Sequence, residues 1–274
     1  MSYLKIDLGC GSRKKEGTIG IDAWPLPGVD YVLNLEKDPL PFDDESVDYV
    51  YSSHCLEHLI QIPKLFAEVS RVCIDGAQLE LWTPYAWDNS AFIFDHRTFL
   101  NEDHYMHFCV WEVDYWQEFF KKRWLLKEFT YIIDEKILVE LYRNKIDLDF
   151  ALRYYKGIVR EFCAHIEVRK DYKGETVLPK RTFAVDRNSE KYPIQSSFSL
   201  NGNPQELQQA IAWFSQAATE KERSHALLQE KIHHLEAQLQ QARATIKAME
   251  SSKFWKLRKQ WFKLKKMLGA SKEE

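Results

Sequence analysis

The sequence of 274 residues has no apolar run of the roughly 18 residues that a membrane-spanning helix requires, so we expect no transmembrane segment. A first β-strand starts almost at the N-terminus, and we therefore expect no signal peptide. Excess charge is also scarce, because the formal net charge is only -3, and this predicts no nucleic-acid partner. Together these absences favour a cytoplasmic protein.

Cysteine is sparse and scattered along the chain. The five cysteines have neither the spacing of a metal site nor that of a disulfide framework, which predicts a reducing compartment. They are Cys10, Cys55, Cys73, Cys109 and Cys163. We predict that Cys10 matters through its backbone, and we assign no residue of the chain to a metal site.

Glycine is scarce too, but two of the 10 glycines follow the first predicted strand. The run Lys5 to Ser12 stops on Gly9 and Gly11, and without a Cβ these residues let backbone N–H groups approach a ligand closely. A second strand, Thr18 to Asp22, ends on an acid that can accept both hydroxyls of a ribose. This pairing predicts a nucleoside-containing cofactor at the carboxyl ends of a parallel sheet. A plain turn capped by Asp22 is the simpler alternative.

The glycine loop lacks the third glycine of a dinucleotide fingerprint, where a helix would pack on the strand and hold pyrophosphate. It continues instead with Arg13, Lys14 and Lys15. This disfavours NAD and FAD, and it favours a ligand with ribose but no pyrophosphate, such as S-adenosylmethionine. The first connection is too short for a long crossover helix, so we predict a short helix or a loop whose cations face solvent or substrate.

Four motifs follow one another near the N-terminus. They are Leu8-Gly9-Cys10-Gly11, then Asp22, then Pro39-Leu40-Pro41-Phe42, and finally Ser53-His54-Cys55-Leu56-Glu57-His58-Leu59. In this order they resemble class I S-adenosylmethionine-dependent methyltransferases, in particular a type-11-like branch. The resemblance, with an alternation of predicted strands and helices, implies an α/β, Rossmann-like, doubly wound sheet of seven mostly parallel strands.

The resemblance also implies which residues bind S-adenosyl-L-methionine. They are Asp7, Gly9, Cys10 and Gly11 for the methionine and ribose part, Asp22 with its neighbour Ala23 for the ribose hydroxyls, Asn34 and Leu35 for the adenine, and Ser53 and His54 beside the sulfonium. The family usually has Asp at the position of Asn34, which keeps a hydrogen-bonding side chain but loses the charge.

Histidines are the candidates for a general base if the methyl acceptor is a hydroxyl. We predict His54, His104 and His107 as catalytic, and we also consider His96. Because His104 and His107 are three residues apart, they would share a helical face, with Asp95 or Asp103 as an orienting carboxylate. The same geometry would suit a divalent metal that binds a sugar diol. A structural or solvent-facing imidazole is the alternative for each, and we expect His58 to be structural.

The remaining elements of the domain are read from hydrophobic periodicity. We predict a helix over Ile62 to Cys73, a strand over Gln78 to Thr83, an irregular acceptor pocket over Trp87 to Trp111, a helix over Val113 to Lys122, a long strand or hairpin over Leu125 to Tyr142, a helix over Leu148 to Phe162, and a closing strand over His165 to Tyr172. We place the methyltransferase domain at residues 1–178 and a linker at 179–205.

Residues 206–250 carry apolar side chains at alternating steps of four and three, which predicts a long coiled-coil helix. The series is Leu207, Ile211, Phe214, Ala218, Leu228, Ile232, Leu235, Leu239, Ala242, Ile246 and Met249. We therefore expect a homo-oligomer, with a parallel dimer favoured and a trimer left open.

Residues 251–274 form a basic amphipathic tail. Within 251–268, aromatic and aliphatic residues share one arc of a helical wheel and lysines occupy the other, which suits peripheral contact with an anionic membrane. A helix that folds back on the catalytic domain or extends the coil is the alternative. The arrangement resembles tailed enzymes of bacterial surface-polysaccharide assembly, which would place the protein at the inner face of the cell membrane.

These observations predict a methyltransferase that O-methylates a sugar hydroxyl of a cell-surface or lipid-linked glycan. A catalytically silent, cofactor-binding scaffold that recruits glycan-assembly enzymes is one alternative. A small-molecule or lipid methyltransferase is another.

Overall fold

A computed structural model describes residues 3–194, 228–245, 247 and 253–267. The chain divides into two compact units, Met1–Ser199 and Leu200–Glu274.

The first unit alternates strands with helices. Its strands are β1 (Leu4–Leu8), β2 (Ile19–Asp22), β3 (Tyr31–Val32), β4 (Val47–Ser53), β5 (Cys73–Pro84), β6 (Arg123–Ile132), β7 (Glu161–Arg169), β8 (Lys180–Ala184) and β9 (Tyr192–Pro193). Its helices are α1 (Ile62–Val72), α2 (Glu102–Met106), α3 (Val113–Phe120), α4 (Glu135–Arg143) and α5 (Leu148–Tyr154). Its described residues also contain two 3₁₀ turns, Leu56–His58 and Asn89–Phe92, and one π-helical turn, His107–Trp111.

All nine strands belong to one sheet in the order β3-β2-β1-β4-β5-β7-β6-β8-β9. The strands β1 to β5 pair in parallel, β7 is antiparallel to both of its neighbours, and β8 is parallel to β6. The predicted Rossmann-like α/β fold with a mostly parallel sheet is confirmed. The predicted number of seven strands is wrong, because β8 and β9 extend the edge beyond β6.

The two extra strands lie in the segment that we predicted to be a linker, 179–205. Thr182 pairs with Thr130 of β6, and Phe183 pairs with Tyr192 of β9. The ordered sheet thus continues to Pro193, past the predicted domain end at 178. Both strands are short, and β9 contains a proline, which edge strands tolerate; this is why composition alone indicated a linker.

The core lies on one face of the sheet, where side chains alternate inward along each strand. Its central members, all at most 2% exposed, are Ile6, Leu8, Val50, Leu79, Leu81 and Ile166. Helix α1 covers them with Leu65, Phe66 and Val69, and the Phe66 ring lies 4.9 Å from that of Trp124. The predicted helix over Ile62 to Cys73 is confirmed to within one residue.

The opposite face of the sheet combines polar side chains with a small apolar cluster of Trp82, Ile132, Cys163 and Ala184. Between Leu8 and Ile19, all of whose residues are described, the chain forms turns and no helix, as the short connection predicted. Lys15 lies over this face, where its Nζ donates to the Tyr49 hydroxyl at 2.7 Å and to Glu80 Oε2 at 2.8 Å. Lys15 therefore contacts the two central strands while 35% of its side chain stays exposed, and Arg13 of the same loop lines the cleft.

Two predicted elements between 125 and 162 need correction. The long strand or hairpin ends at Ile132, because Asp134 caps a helix instead, its carboxylate accepting the Lys136 N–H at 2.8 Å. The helix predicted over Leu148 to Phe162 ends at Tyr154, ahead of Gly157 in the left-handed region at φ +76°, and β7 follows at Glu161.

In the second unit, α6 covers residues 228–245 and α7 covers Lys253–Met267. Four predicted seam residues of α6, Leu228, Ile232, Leu235 and Leu239, are 52 to 56% exposed. The predicted heptad positions from 207 to 218, and those at 246 and 249, lie outside the described residues. In the described ranges, none of the helices combines the length and the apolarity that crossing a bilayer demands.

Candidate active site

The glycine turn after β1 is built by close packing. Gly9 and Gly11 have φ values of +67° and +53°, in the left-handed region that glycine adopts without strain. A Cβ on Gly9 would lie 2.3 Å from Cys55 Sγ, so the turn lies directly against the residue that follows the end of β4. The N–H groups of Gly9 and Cys10 both donate to the Ile21 carbonyl, which joins the turn to β2.

Asp22 is tied to the same turn. Because β1 and β2 are parallel neighbours with Leu8 opposite Ile21, both strands end at one edge of the sheet. Asp22 Oδ2 accepts the Gly11 N–H at 2.9 Å, and Oδ1 accepts the Trp24 N–H at 3.0 Å. A carboxylate oxygen can accept more than one hydrogen bond, so Asp22 retains capacity for a ribose diol.

A cleft of about 840 Å³ opens beside the turn. It is lined by Asp7, Gly9, Cys10, Gly11, Ser12, Arg13, Leu26, Tyr51, Ser53, His54, Ser90, Arg160, Glu161 and Arg187. Six of the ten predicted cofactor residues are among them, while Asp22, Ala23, Asn34 and Leu35 are not. Asn34 instead shapes the loop after β3, with its Oδ1 accepting the Glu36 N–H at 2.9 Å, and Leu35 is buried.

Asp7 forms part of the cleft floor. Its side chain is only 1% exposed, and one carboxylate oxygen accepts the Lys15 N–H at 2.8 Å. Burial raises the pKa of Asp7 to about 6, although the hydrogen bond from Lys15 opposes this shift. Asp7 thus changes its charge close to neutral pH, directly beneath the glycine turn.

His54 occupies the tip of β4 with a left-handed φ of +53°. Its Nε2 lies 2.8 Å from Glu161 Oε2, and its Nδ1 lies 3.2 Å from Glu57 Oε1. These hydrogen bonds, to Glu161 first and then to Glu57, raise the pKa of His54 to about 9. At neutral pH the ring is therefore an imidazolium that donates to both carboxylates, which does not suit a resting general base.

Arg187 and Glu161 were missed by the sequence analysis. Arg187 follows β8 and donates to Glu161, to the Tyr51 hydroxyl at 3.0 Å and to Ser53 Oγ at 2.9 Å. Its guanidinium lies 4.5 Å from the centre of the Trp82 ring. Burial alone would raise the pKa of Glu161, but hydrogen bonds from His54 and Arg187 outweigh it and lower the pKa to about 2. The cleft wall is therefore a fixed arrangement of paired charges.

His104 and His107 lie elsewhere. They line an apolar cavity of about 440 Å³ between α1 and α3, and this cavity shares no lining residue with the glycine cleft. His104 Nδ1 lies 2.8 Å from Asn101 Oδ1, and burial lowers the pKa of His104. His107 accepts a hydrogen bond from Trp116 at 3.2 Å. The structure does not bring this pair to His54, and only Ser90 of the predicted acceptor stretch Trp87 to Trp111 lines the cleft.

The arrangement fits an adenosine-bearing methyl donor without pyrophosphate. At Gly9 the turn packs so closely against Cys55 that any side chain would collide with it. The N–H groups of the turn donate to the Ile21 carbonyl and to the Asp22 carboxylate, which fixes its shape. The acid at the end of β2 supplies the ribose acceptor, and the cleft extends from the turn to the tip of β4. Parallel sheets of this kind bind ligands at such strand ends.

Comparison with known proteins gives one family match and several similar structures. Residues 12–81 match the family model described as a methyltransferase domain. A SAM-dependent methyltransferase of Archaeoglobus fulgidus is similar at a TM-score of 0.41 and 14% identity, over 60% of this chain and 86% of that chain. No curated protein sequence matches the chain.

Two further solved structures are similar at the same level. Geranyl diphosphate C-methyltransferase of Streptomyces coelicolor, solved with Mg²⁺, geranyl diphosphate and S-adenosyl-L-homocysteine, has a TM-score of 0.41 at 12% identity over 61% of this chain and 72% of that chain. A possible histamine N-methyltransferase of Thermotoga maritima has a TM-score of 0.39 at 14% identity, over 62% of this chain and 84% of that chain. Residues 12–81 therefore resemble a methyltransferase domain, and the geometry of the cleft fits S-adenosylmethionine as the cofactor.

Proposed function

We propose that this protein transfers a methyl group to a sugar hydroxyl of a cell-surface or lipid-linked glycan. The observation that carries the proposal is the polar wall of the cleft beyond the glycine turn. It presents Tyr51, Ser53, Ser90, Arg160, Glu161 and Arg187. A polyhydroxyl acceptor can form further hydrogen bonds with these groups, whereas an apolar acceptor would displace water from them without replacing its hydrogen bonds, which is costly.

Arg187 is proposed to orient the acceptor. Four hydrogen bonds and the Trp82 ring hold its guanidinium in one place, so little ordering remains to be done when a substrate binds. Bound S-adenosylmethionine supplies a methyl group that is already activated on a sulfonium. The chain therefore contributes mainly alignment of the hydroxyl oxygen with that methyl carbon.

Glu161 is proposed to receive the hydroxyl proton. As the new O–C bond forms, the acceptor oxygen becomes positive, and a methylated oxygen that still carries its proton is a far stronger acid than any carboxylic acid. An ionised carboxylate can stabilise that charge and take the proton late, although its own pKa is low. His54 is less suited, because both of its ring nitrogens already face carboxylates.

The second unit is proposed to provide self-association and membrane proximity. The exposed leucine and isoleucine seam of α6 supports a coiled coil, with a dimer favoured and a trimer as the alternative. In α7, Leu257, Trp261, Phe262 and Leu264 are exposed on a helix whose first turn has no acid, which supports peripheral contact with an anionic membrane.

Methyl-labelled S-adenosylmethionine tests the substrate class. The full-length protein is incubated with polysaccharide and lipid-linked glycan fractions, and the products are hydrolysed to monosaccharides. We expect the label in an O-methyl sugar, and a Glu161→Gln variant should lose most of it. Label found only in lipid, protein or small molecules would contradict the glycan assignment. Binding of S-adenosylhomocysteine without any transfer would favour the cofactor-binding scaffold.

A further inference from the structure

Two histidines and a carboxylate converge next to His54. Glu57 and His58 belong to the 3₁₀ turn after β4, and His96 follows the 3₁₀ turn Asn89–Phe92. One potential ligand atom of each of the three residues lies within 4.8 Å of the other two. The two segments are clamped together because the N–H groups of Arg97 and Thr98 both donate to the Glu57 carbonyl, at 2.7 and 3.0 Å.

The backbone fixes the tautomer of both imidazoles. His96 Nδ1 lies 3.2 Å from the Ala91 carbonyl, and His58 Nδ1 lies 3.2 Å from the Asp95 carbonyl. A carbonyl oxygen can only accept, so each Nδ1 must carry the proton, and each neutral ring then has its lone pair on Nε2. This carbonyl-bound form is the one in which metal-ligating histidines are normally held.

Glu57 supplies an acceptor that the protein leaves unused. Glu57 is 1% exposed, and its Oε1 lies 3.2 Å from His54 Nδ1 and 4.0 Å from His96 Nε2. Its Oε2 is buried and has no hydrogen-bond partner among the residues that the structure describes. Buried polar atoms are nearly always paired, so this oxygen is a candidate ligand for a cation. Coordination through Oε2 would leave the bond to His54 intact.

We propose that Glu57, His58 and His96 bind a divalent transition metal, with Zn²⁺ as the best match. Two imidazole nitrogens and a carboxylate oxygen are a ligand set that Zn²⁺ prefers, and a fourth ligand would come from water. Bonds of about 2.0 to 2.2 Å to a tetrahedral ion place ligand atoms roughly 3.4 Å apart. The ligand atoms, which lie within 4.8 Å of one another, need to approach by up to about 1.4 Å to reach this, and the partly exposed His58 ring can move.

The metal would act as a structural clamp. It would hold the loop that contains Ser90, a cleft residue, against the turn that follows His54. The proposal does not depend on methyl transfer, because it concerns binding by residues outside the cleft lining.

Equilibrium dialysis of the full-length protein against Zn²⁺, followed by metal analysis, tests the site. We expect one bound ion per chain, and with Co²⁺ the absorption spectrum of a tetrahedral site with nitrogen and oxygen ligands. Loss of an outer-shell partner of a metal site lowers metal affinity by roughly 10 to 100-fold. The His58→Ala/His96→Ala variant loses two ligands, so its affinity for Zn²⁺ should fall by at least this factor. Substitution of the buried His96 can disturb folding, whereas His58 is partly exposed. The single variant His58→Ala is therefore tested as well, because its fold should be retained.

The matched control is His233→Ala/His234→Ala, which removes two exposed, adjacent histidines of α6. This control should retain wild-type Zn²⁺ affinity and the Co²⁺ spectrum. Zn²⁺ should also raise the melting temperature of the wild type and the control but not that of His58→Ala. Zn²⁺ binding that persists in both histidine variants of the cluster, or that is absent from the wild type, would overturn the proposal.

Discussion

Arg187 forms a two-pronged hydrogen-bonded ion pair with Glu161, its Nε donating to Oε1 at 3.1 Å and its second terminal nitrogen to Oε2. The pair joins the connection after β8 to the first residue of β7, at the edge of the sheet where β4 and β5 end. The added edge strands thus supply a residue of the cleft.

A double-mutant cycle should reveal this pair as a coupled unit. Glu161→Gln leaves Arg187 and His54 without their shared negative partner, and Arg187→Gln leaves Glu161 with His54 and, at 3.7 Å, Arg160. We expect a coupling free energy of unfolding of about 1 to 3 kcal/mol from urea denaturation. Arg187→Lys should not restore it, because an ammonium cannot reproduce the fork. Additive effects of the two substitutions would contradict the pairing.

Asp22→Ala should weaken cofactor binding. The carboxylate is the acceptor proposed for the ribose hydroxyls, and hydrogen bonds to a charged group contribute about 1.5 to 3 kcal/mol. Calorimetric titration with S-adenosylhomocysteine should show a Kd higher by roughly 10 to 150-fold, by the relation of 1.4 kcal/mol per factor of ten. Asp43→Ala, at an exposed loop position, is the matched control and should bind normally. Equal affinity of the two variants would exclude Asp22 from the site.

Stability should depend on pH through Asp7. Its pKa is raised from 3.8 to about 6, so the folded protein favours the protonated form. The contribution of protonated Asp7 is fully present below about pH 4 and is lost as pH rises through 6, a change of about 3 kcal/mol at 1.36 kcal/mol per pKa unit.

The comparison that isolates this effect is with Asp7→Asn, which can still accept the Lys15 N–H but cannot ionise. Relative to wild type, Asp7→Asn should become more stable between pH 4 and pH 7 in urea denaturation. A stability difference that stays constant over this range would mean that Asp7 does not titrate there.

Gly9→Ala should be more destabilising than Gly11→Ala. Both positions have positive φ, which costs a non-glycine residue roughly 1 to 2 kcal/mol. Only at Gly9 does the new Cβ also collide, with the Sγ and Cβ of Cys55, and overpacking adds about 1 to 3 kcal/mol. Thermal unfolding of the two variants checks the ranking, and equal destabilisation would argue against the close contact.

Truncation before Leu207 should yield a monomer that still binds cofactor. The apolar seam of α6 is exposed in the single chain, whereas a coiled coil would bury it. Leu235→Asp in the full-length protein should have the same effect on assembly, with Glu236→Gln on the same helix as the control. Sedimentation velocity reports the outcome, and an unchanged oligomer after truncation would locate the interface in the first unit.

Local motifs made part of the site predictable from the sequence. Gly9, Gly11 and Asp22 are close in the chain and act through backbone geometry, so spacing alone indicated the cofactor turn. Arg187 could not be found this way, because it lies in a polar segment far from Glu161 in the sequence. The two residues meet only because the order of strands in the sheet brings the end of β8 close to the start of β7. His104 and His107 share a helical turn, as their spacing indicated, but packing of α2 directs them to a different cavity.

The missing crossover helix has a consequence for how the cleft floor is held. A crossover helix would hold the first connection against the sheet by apolar packing. Here Lys15 holds it through hydrogen bonds to Tyr49 and Glu80, which remain partly exposed to water. Apolar packing is insensitive to dissolved ions, whereas a partly solvated charge pair is screened by them. The support beneath the cofactor turn therefore responds to ionic strength.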